Sequence, residues 1–117
     1  MEIDADTRFV TLLGNPVAHS RSPRIHNTAF RTQGVNAVYL ATPVQAEAVG
    51  AAVEGLRALH ALGANVTVPH KEAVLPHLDA GTDRAQAVGA VNTIVREPQE
   101  DAPDRLRGDN TDVAGFL

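Results

Sequence analysis

The sequence predicts an α/β fold: a three-layer α/β/α open sheet, mostly parallel, with an antiparallel C-terminal hairpin. Three observations carry this. Strand-like and helix-like patterns alternate in the order β-α-β-α-β-α as far as Gly89, the pattern of a sheet covered by helices. The hydrophobic fraction is 44% but aromatics make up only 3%, so the core is built from Ala, Val, Leu and Ile, which suits helices laid on parallel strands. Finally, the last two strand-like runs are joined by "EPQEDAP", too short for a crossover helix, so they pair antiparallel.

The elements follow in order. "RFVTLLG" (Arg8 to Gly14) is a β-rich apolar run stopped by "GNP", a turn signal. Ser22 before Pro23 reads as a helix start, a capping hydroxyl followed by the residue best tolerated early in a helix. Ile25, Ala29 and Phe30 offer that helix an apolar face, and Gly34 is its stop. "AVYLA" (Ala37 to Ala41) is the second strand. From Gln45, the residues Ala46, Val49, Val53, Leu56 and Leu59 keep helical spacing towards Gly63. "NVTVPHK" (Asn65 to Lys71) is the third strand running into a turn. "HKEAVLPHL" is a short helix cut by Pro76, and "TDRAQAVG" another with Thr82 as its cap. "AVNTIVRE" and "RLRGDN" form the hairpin, and "TDVAGFL" opens a last helix.

Length and composition bound the function. The 117 residues make one domain, 1–117, large enough for a core of its own. A net charge of −4 with no basic run argues against nucleic acid or an anionic membrane as partner. The acidic start "MEIDADTR" is no signal peptide and no apolar run is long enough to span a bilayer, so the expected location is cytoplasmic. Cysteine is absent, which removes disulfides and thiolate chemistry. The five histidines lack metal-ligand spacing, and neither Gly-x-Gly-x-x-Gly nor a P-loop occurs. No metal and no nucleotide cradle is expected in this chain.

Ligands on open α/β sheets sit beyond the carboxyl ends of the strands, and polar residues gather there. Period two puts Asn65 and Thr67 on one side of the third strand and Val66 and Val68 on the other. Two polar side chains in a buried strand need partners, either a turn and cap or a ligand. Lys71 is the single lysine beside nine arginines. Placed in the first turn of a helix, it meets a dipole that disfavours a fixed positive charge by about 0.3–1 kcal/mol. Lysine can release its proton and arginine effectively cannot, so the residue choice points to proton transfer; a surface lysine kept by chance is the plain reading. Asp112, in the first turn of the last helix, is either a simple helix-start acid or a partner that tunes Lys71 for acid–base work. Ser22 is accounted for by capping, Ser20 is not, and Asn92 is a polar residue at the start of an apolar strand. Hydroxyls, amides, one ammonium and one carboxylate suit a small neutral or acidic polyhydroxylated ligand.

"GNPVAHSRSPRIHN", "GANVTVPHK", "VGAVNT" and "GDNTD" together resemble shikimate dehydrogenases, in order and spacing, from about Leu13 onward. The part resembled is that family's N-terminal, substrate-binding domain; the Rossmann domain whose glycine-rich loop holds NADP is expected after Leu117. The resemblance implies reversible reduction of 3-dehydroshikimate to shikimate with NADPH. It implies that Ser20 and Ser22 hold the substrate carboxylate and that Asn65, Thr67 and Asn92 contact its hydroxyls and carboxylate. Lys71 is then the catalytic lysine, Asp112 its partner, and Asp83 an acidic residue near the cofactor. This chain alone is expected to be inactive, and surface near Asp83 and the last helix to favour self-association. A standalone module that binds shikimate or quinate without catalysis, and a quinate/shikimate dehydrogenase paralogue, are the competing expectations.

Overall fold

The computed structural model describes residues 2–112, whose six strands form one sheet in the order β2-β1-β3-β5-β6-β4. The elements are β1 (Arg8–Gly14), α1 (Ser22–Gln33), β2 (Ala37–Pro43), α2 (Val49–Ala58), β3 (Gly63–Val66), β4 (Ala80–Gly81), α3 (Asp83–Val88), β5 (Thr93–Glu97) and β6 (Arg105–Asp109). β1 pairs in parallel with β2 and β3, and β6 in parallel with β4. β5 lies antiparallel between β3 and β6. It is thus the one reversed strand, and its amino end shares an edge with the carboxyl ends of the other five. The expected class, the flanking helices and the antiparallel hairpin are all present.

The two faces are packed unequally. Leu13, Val66, Ile94 and Leu106 from the strands meet Val49, Val53 and Leu56 of α2 and Ala85 of α3 in the main core. The opposite face holds only Leu12, Val17 and Tyr39 as buried residues, with Phe30 of α1 packed beside them. α1 buries no residue fully, and Ile25, expected on its apolar face, is 63% exposed. The helix is docked by a polar residue instead. The Asn27 side chain donates to Tyr39 O at 2.9 Å and accepts from Tyr39 N at 2.7 Å. Because β2 is an edge strand, those two backbone groups would otherwise lack partners.

Several elements differ from expectation. At the start of α1 the cap position is Arg21, Ser22 is the first helical residue, and no side chain caps the helix. Ser20 Oγ accepts from Ser22 N at 3.1 Å, so the residue that capping left unexplained satisfies a helix donor and Ser22 does not. Gly34 ends the helix in the left-handed region, φ 68°, as anticipated. α2 is preceded by a 3₁₀ turn, Ala46–Ala48, and stops at Ala58 with Leu59 exposed. β3 ends at Val66, so Thr67 and Val68 lie beyond it, and Val68 is 65% exposed where the alternation would bury it.

The helix expected from His70 is not formed; residues 71–74 are turns and Leu75–His77 a 3₁₀ turn. Only six residues separate Pro69 and Pro76, fewer than a helix needs to repay its nucleation. Tertiary bonds also claim the groups a helix would use: Lys71 O accepts from Val91 N at 2.7 Å. The dipole argument for Lys71 therefore lapses. Pro76 and the turn it closes lead into β4, a two-residue strand that no sequence pattern announced. Thr82 caps α3, accepting from Ala85 N at 3.3 Å, as expected. Asp112 lies in a turn, and the rest of the helix expected over "TDVAGFL" falls outside the described residues.

Candidate functional site

The open space on the α1 face is the consequence of that thin second core. A cavity of about 310 Å³ at the carboxyl edge is lined by Leu12, Pro16, Val17, His19, Ser20, Ser22 and Thr67. The loop after β1 supplies Ser20, the first turn of α1 supplies Ser22, and the chain leaving β3 supplies Thr67. Gly14 lets those segments meet. A Cβ there would collide with the Thr67 methyl and lie 3.1 Å from Val68 O, so any side chain would push Thr67 from its place.

Asn65 sits on the same face, since it pairs in register with Leu12. Its Oδ1 accepts from the Tyr39 hydroxyl at 2.9 Å, and its Nδ2 lies 3.4 Å from Asn92 O. The Asn92 side chain joins the next loop: Oδ1 accepts from Thr111 N at 3.0 Å, and Nδ2 donates to Thr111 Oγ1 at 2.9 Å. Asn92 is thereby occupied as a loop tie, while its position also faces the shared edge. Lys71 Nζ lies 3.2 Å from Asp112 Oδ2, with side-chain exposures of 34% and 63%. The pair inferred from two strand exits is thus formed. The loops after β3 and β6 bring it together, without a helix terminus at the lysine.

The turn carrying Asp112 is built by Asp109 and Asn110. Asp109, at the end of β6, accepts from Arg84 through both oxygens (2.7 and 2.6 Å), from Thr82 Oγ1 at 2.7 Å and from Asn110 N at 2.8 Å. The Arg84 guanidinium and then the Thr82 hydroxyl hold its carboxyl well below the usual carboxylate range. Asn110 is 4% exposed; its Nδ2 donates to Ala90 O at 3.2 Å and its Oδ1 accepts from Asp112 N at 3.0 Å. His70, 2% exposed, anchors the lysine loop through a 2.6 Å bond from its Nε2 to Val44 O. A histidine read only for metal spacing is a structural tie.

Asp109→Asn should therefore lower stability at pH 7 by about 2 kcal/mol, the scale of hydrogen bonds to a charged group. A carboxyl depressed in the folded state contributes fully above its unfolded pKa of roughly 3.9 and loses that contribution as pH falls towards its folded value. Urea unfolding at pH 7 and at pH 3 should show the variant's deficit shrinking at the lower pH. An equal deficit at both would refute the ionic origin.

The arginines contrast with the lysine. Arg57 bonds Asp104 O at 2.8 Å and Asp79 at 2.5 Å, and Arg96 bonds Ala61 O at 2.6 Å and Asp104 at 2.8 Å. Their forks tie loops at the opposite edge, where a larger cavity of about 560 Å³ is walled by Arg57, Asp79, Asp104 and Arg105. The Arg57–Asp79 pair in that wall is already satisfied. Asp83 is exposed at the first position of α3.

Residues 12–94 match the family model described as the shikimate dehydrogenase substrate binding domain. The chain belongs to that family. A shikimate dehydrogenase (NADP(+)) of Salinibacter ruber is 70% identical over the whole of this chain, which spans 39% of that relative. A shikimate 5-dehydrogenase from Listeria monocytogenes, solved in complex with shikimate and NAD, is 37% identical with a TM-score of 0.88; 99% of this chain and 38% of that one are covered. The ligand-free 5-ketofructose reductase of Gluconobacter sp. strain CHM43 is 32% identical with a TM-score of 0.85, covering 97% of this chain and 39% of that one. The chain thus spans well under half the length of the relatives it matches. Among the described residues no helix is long and apolar enough to cross a membrane.

Proposed function

We propose that this chain is the substrate-binding domain, 1–117, of an NADP-dependent shikimate dehydrogenase and carries its proton-transfer residues. The observation that carries the reading is the 3.2 Å contact between Lys71 and Asp112 at the sheet edge that also holds Ser20, Ser22, Asn65, Thr67 and Asn92. Lys71 takes the proton from a ring hydroxyl as shikimate becomes 3-dehydroshikimate and returns it in the reverse direction. Asp112 holds the ammonium in place and offsets its charge. The Ser20 and Ser22 hydroxyls receive the substrate carboxylate, and Asn65, Thr67 and Asn92 the hydroxyls.

NADP, when bound, accepts or supplies the hydride. The described residues do not suit it as a cradle: no glycine-rich loop opens a helix here, and Asp83 is an exposed carboxylate that would repel a phosphate. The cofactor belongs, on this reading, to a nucleotide-binding domain outside this chain, with Asp83 at its margin and the chain inactive alone. A cytoplasmic location fits such a reaction.

The test is NADPH formation by the full-length protein with shikimate, quinate or a reduced form of 5-ketofructose and NADP⁺. The last is included because of the Gluconobacter relative. Turnover of shikimate with the highest kcat/KM is expected. Calorimetric binding of shikimate without NADPH formation would favour a non-catalytic module, and preference for another substrate would reassign the specificity.

A further inference from the structure

Tyr39 is the single tyrosine of the chain and is 2% exposed. Its neighbours in the smaller core are aliphatic or aromatic, Leu12, Val17, Val10, Ala41 and Phe30. A buried phenol needs a partner, and this one donates to Asn65 Oδ1 at 2.9 Å. The ring is held from α1, where His26 stacks on it at a centroid distance of 4.3 Å and an angle of 9°. Asn27 brackets its backbone. Burial pushes the phenol up, with the Ser22 hydroxyl opposing, and the hydroxyl's recorded hydrogen bond is to Asn65, a residue proposed to contact the substrate.

We propose that Tyr39 is a positioning residue that sets the hydrogen-bonding polarity of the cleft by engaging the Asn65 side-chain oxygen. The phenol donating to Oδ1 at one end and the Asn92 carbonyl, which can only accept, at the other together decide which end of the amide is which. The amide nitrogen is then turned towards Asn92 O, and that bond is long at 3.4 Å, leaving donor capacity for a ligand oxygen. Asn65 thereby selects a group that accepts at that point, such as a ring hydroxyl or carbonyl oxygen, against one that can only donate. Without the phenol, Oδ1 loses its donor and only the long contact to Asn92 O holds the amide, which is then freer to turn.

This inference rests on the dehydrogenase reading. Tyr39→Phe keeps the ring, its stack and the backbone bracket and removes only the donor. In the full-length protein it should raise KM for shikimate roughly tenfold, the scale of one buried hydrogen bond lost, with kcat within about threefold because uniform binding is what is removed. The pH profile of kcat should not move, since Lys71 and Asp112 are untouched. Asn65→Ala should also raise KM, and adding Tyr39→Phe to it should cost nothing more. An unchanged KM in Tyr39→Phe, or effects that add in the double variant, would overturn the inference while leaving the dehydrogenase reading intact. If Tyr39→Phe does not fold, His26→Ala replaces it: a smaller KM rise that vanishes in the Asn65→Ala background supports the inference, and one that persists overturns it. Absence of shikimate turnover by the unmodified protein sinks both.

Discussion

Lys71→Arg in the full-length protein should lower kcat for shikimate oxidation about 10²–10⁴-fold, the range supplied by a positioned acid–base group. Charge is conserved, and Lys71 is a third exposed with one side-chain partner among the described residues, Asp112, so the fold should survive and a thermal melt should show little change. What arginine cannot do is release a proton near neutral pH. It would also lay a planar fork where one compact ammonium now meets one carboxylate oxygen. Raised KM with normal kcat would assign Lys71 to binding alone. Near-normal turnover would remove it from the chemistry.

Gly63→Ala should give the largest loss of stability outside the site. Gly63 pairs with Val10 on one side and Val95 on the other, and a Cβ there would run into Ile94 O, with the Ile94 carbonyl carbon at 3.4 Å. That obstacle is backbone in the centre of the sheet, so no flexible side chain can swing away. Relief requires β3 and β5 to separate, at a cost of about 1–3 kcal/mol on the scale of overpacked cores. For a domain of this size that is a fall in Tm of roughly 4–8 °C per kcal/mol. A Tm equal to the parent's would mean that the β3–β5 pairing is looser than its geometry implies.

The residues that were readable from sequence are those whose role is set by near neighbours in the chain. β1 carries its own apolar run and turn, and Gly34 and Thr82 act within a residue or three of themselves. The hairpin followed from the length of its connector. Lys71 was singled out for a sound reason, its identity among arginines, and for an unsound one, a helix that does not form. That error is physical: the propensity of "HKEAVL" was outweighed by two prolines and by Val91 N taking the Lys71 carbonyl. Ser22 was credited with a cap that Ser20 supplies to its backbone, because sequence shows that a hydroxyl precedes a proline but not which way it turns.

Tyr39, His70 and the Asp109–Arg84 pair carried no comparable signal. Asn65 and Tyr39 are 26 positions apart, as are His70 and Val44, and Arg84 and Asp109 are 25 apart. Each of these bonds exists only because strand order brings distant segments to one edge.

The sequence by itself determined the alternation of elements, the aliphatic core and the residue types available for chemistry, since these depend on local pattern and composition. Only the tertiary structure decided that one reversed strand would bring six strand ends to a common edge. It also decided that the α1 face would be too thinly packed to close, and that Lys71 would meet Asp112 at the common edge. Such pairings depend on loop paths and register, which contacts between distant segments select and no local pattern encodes.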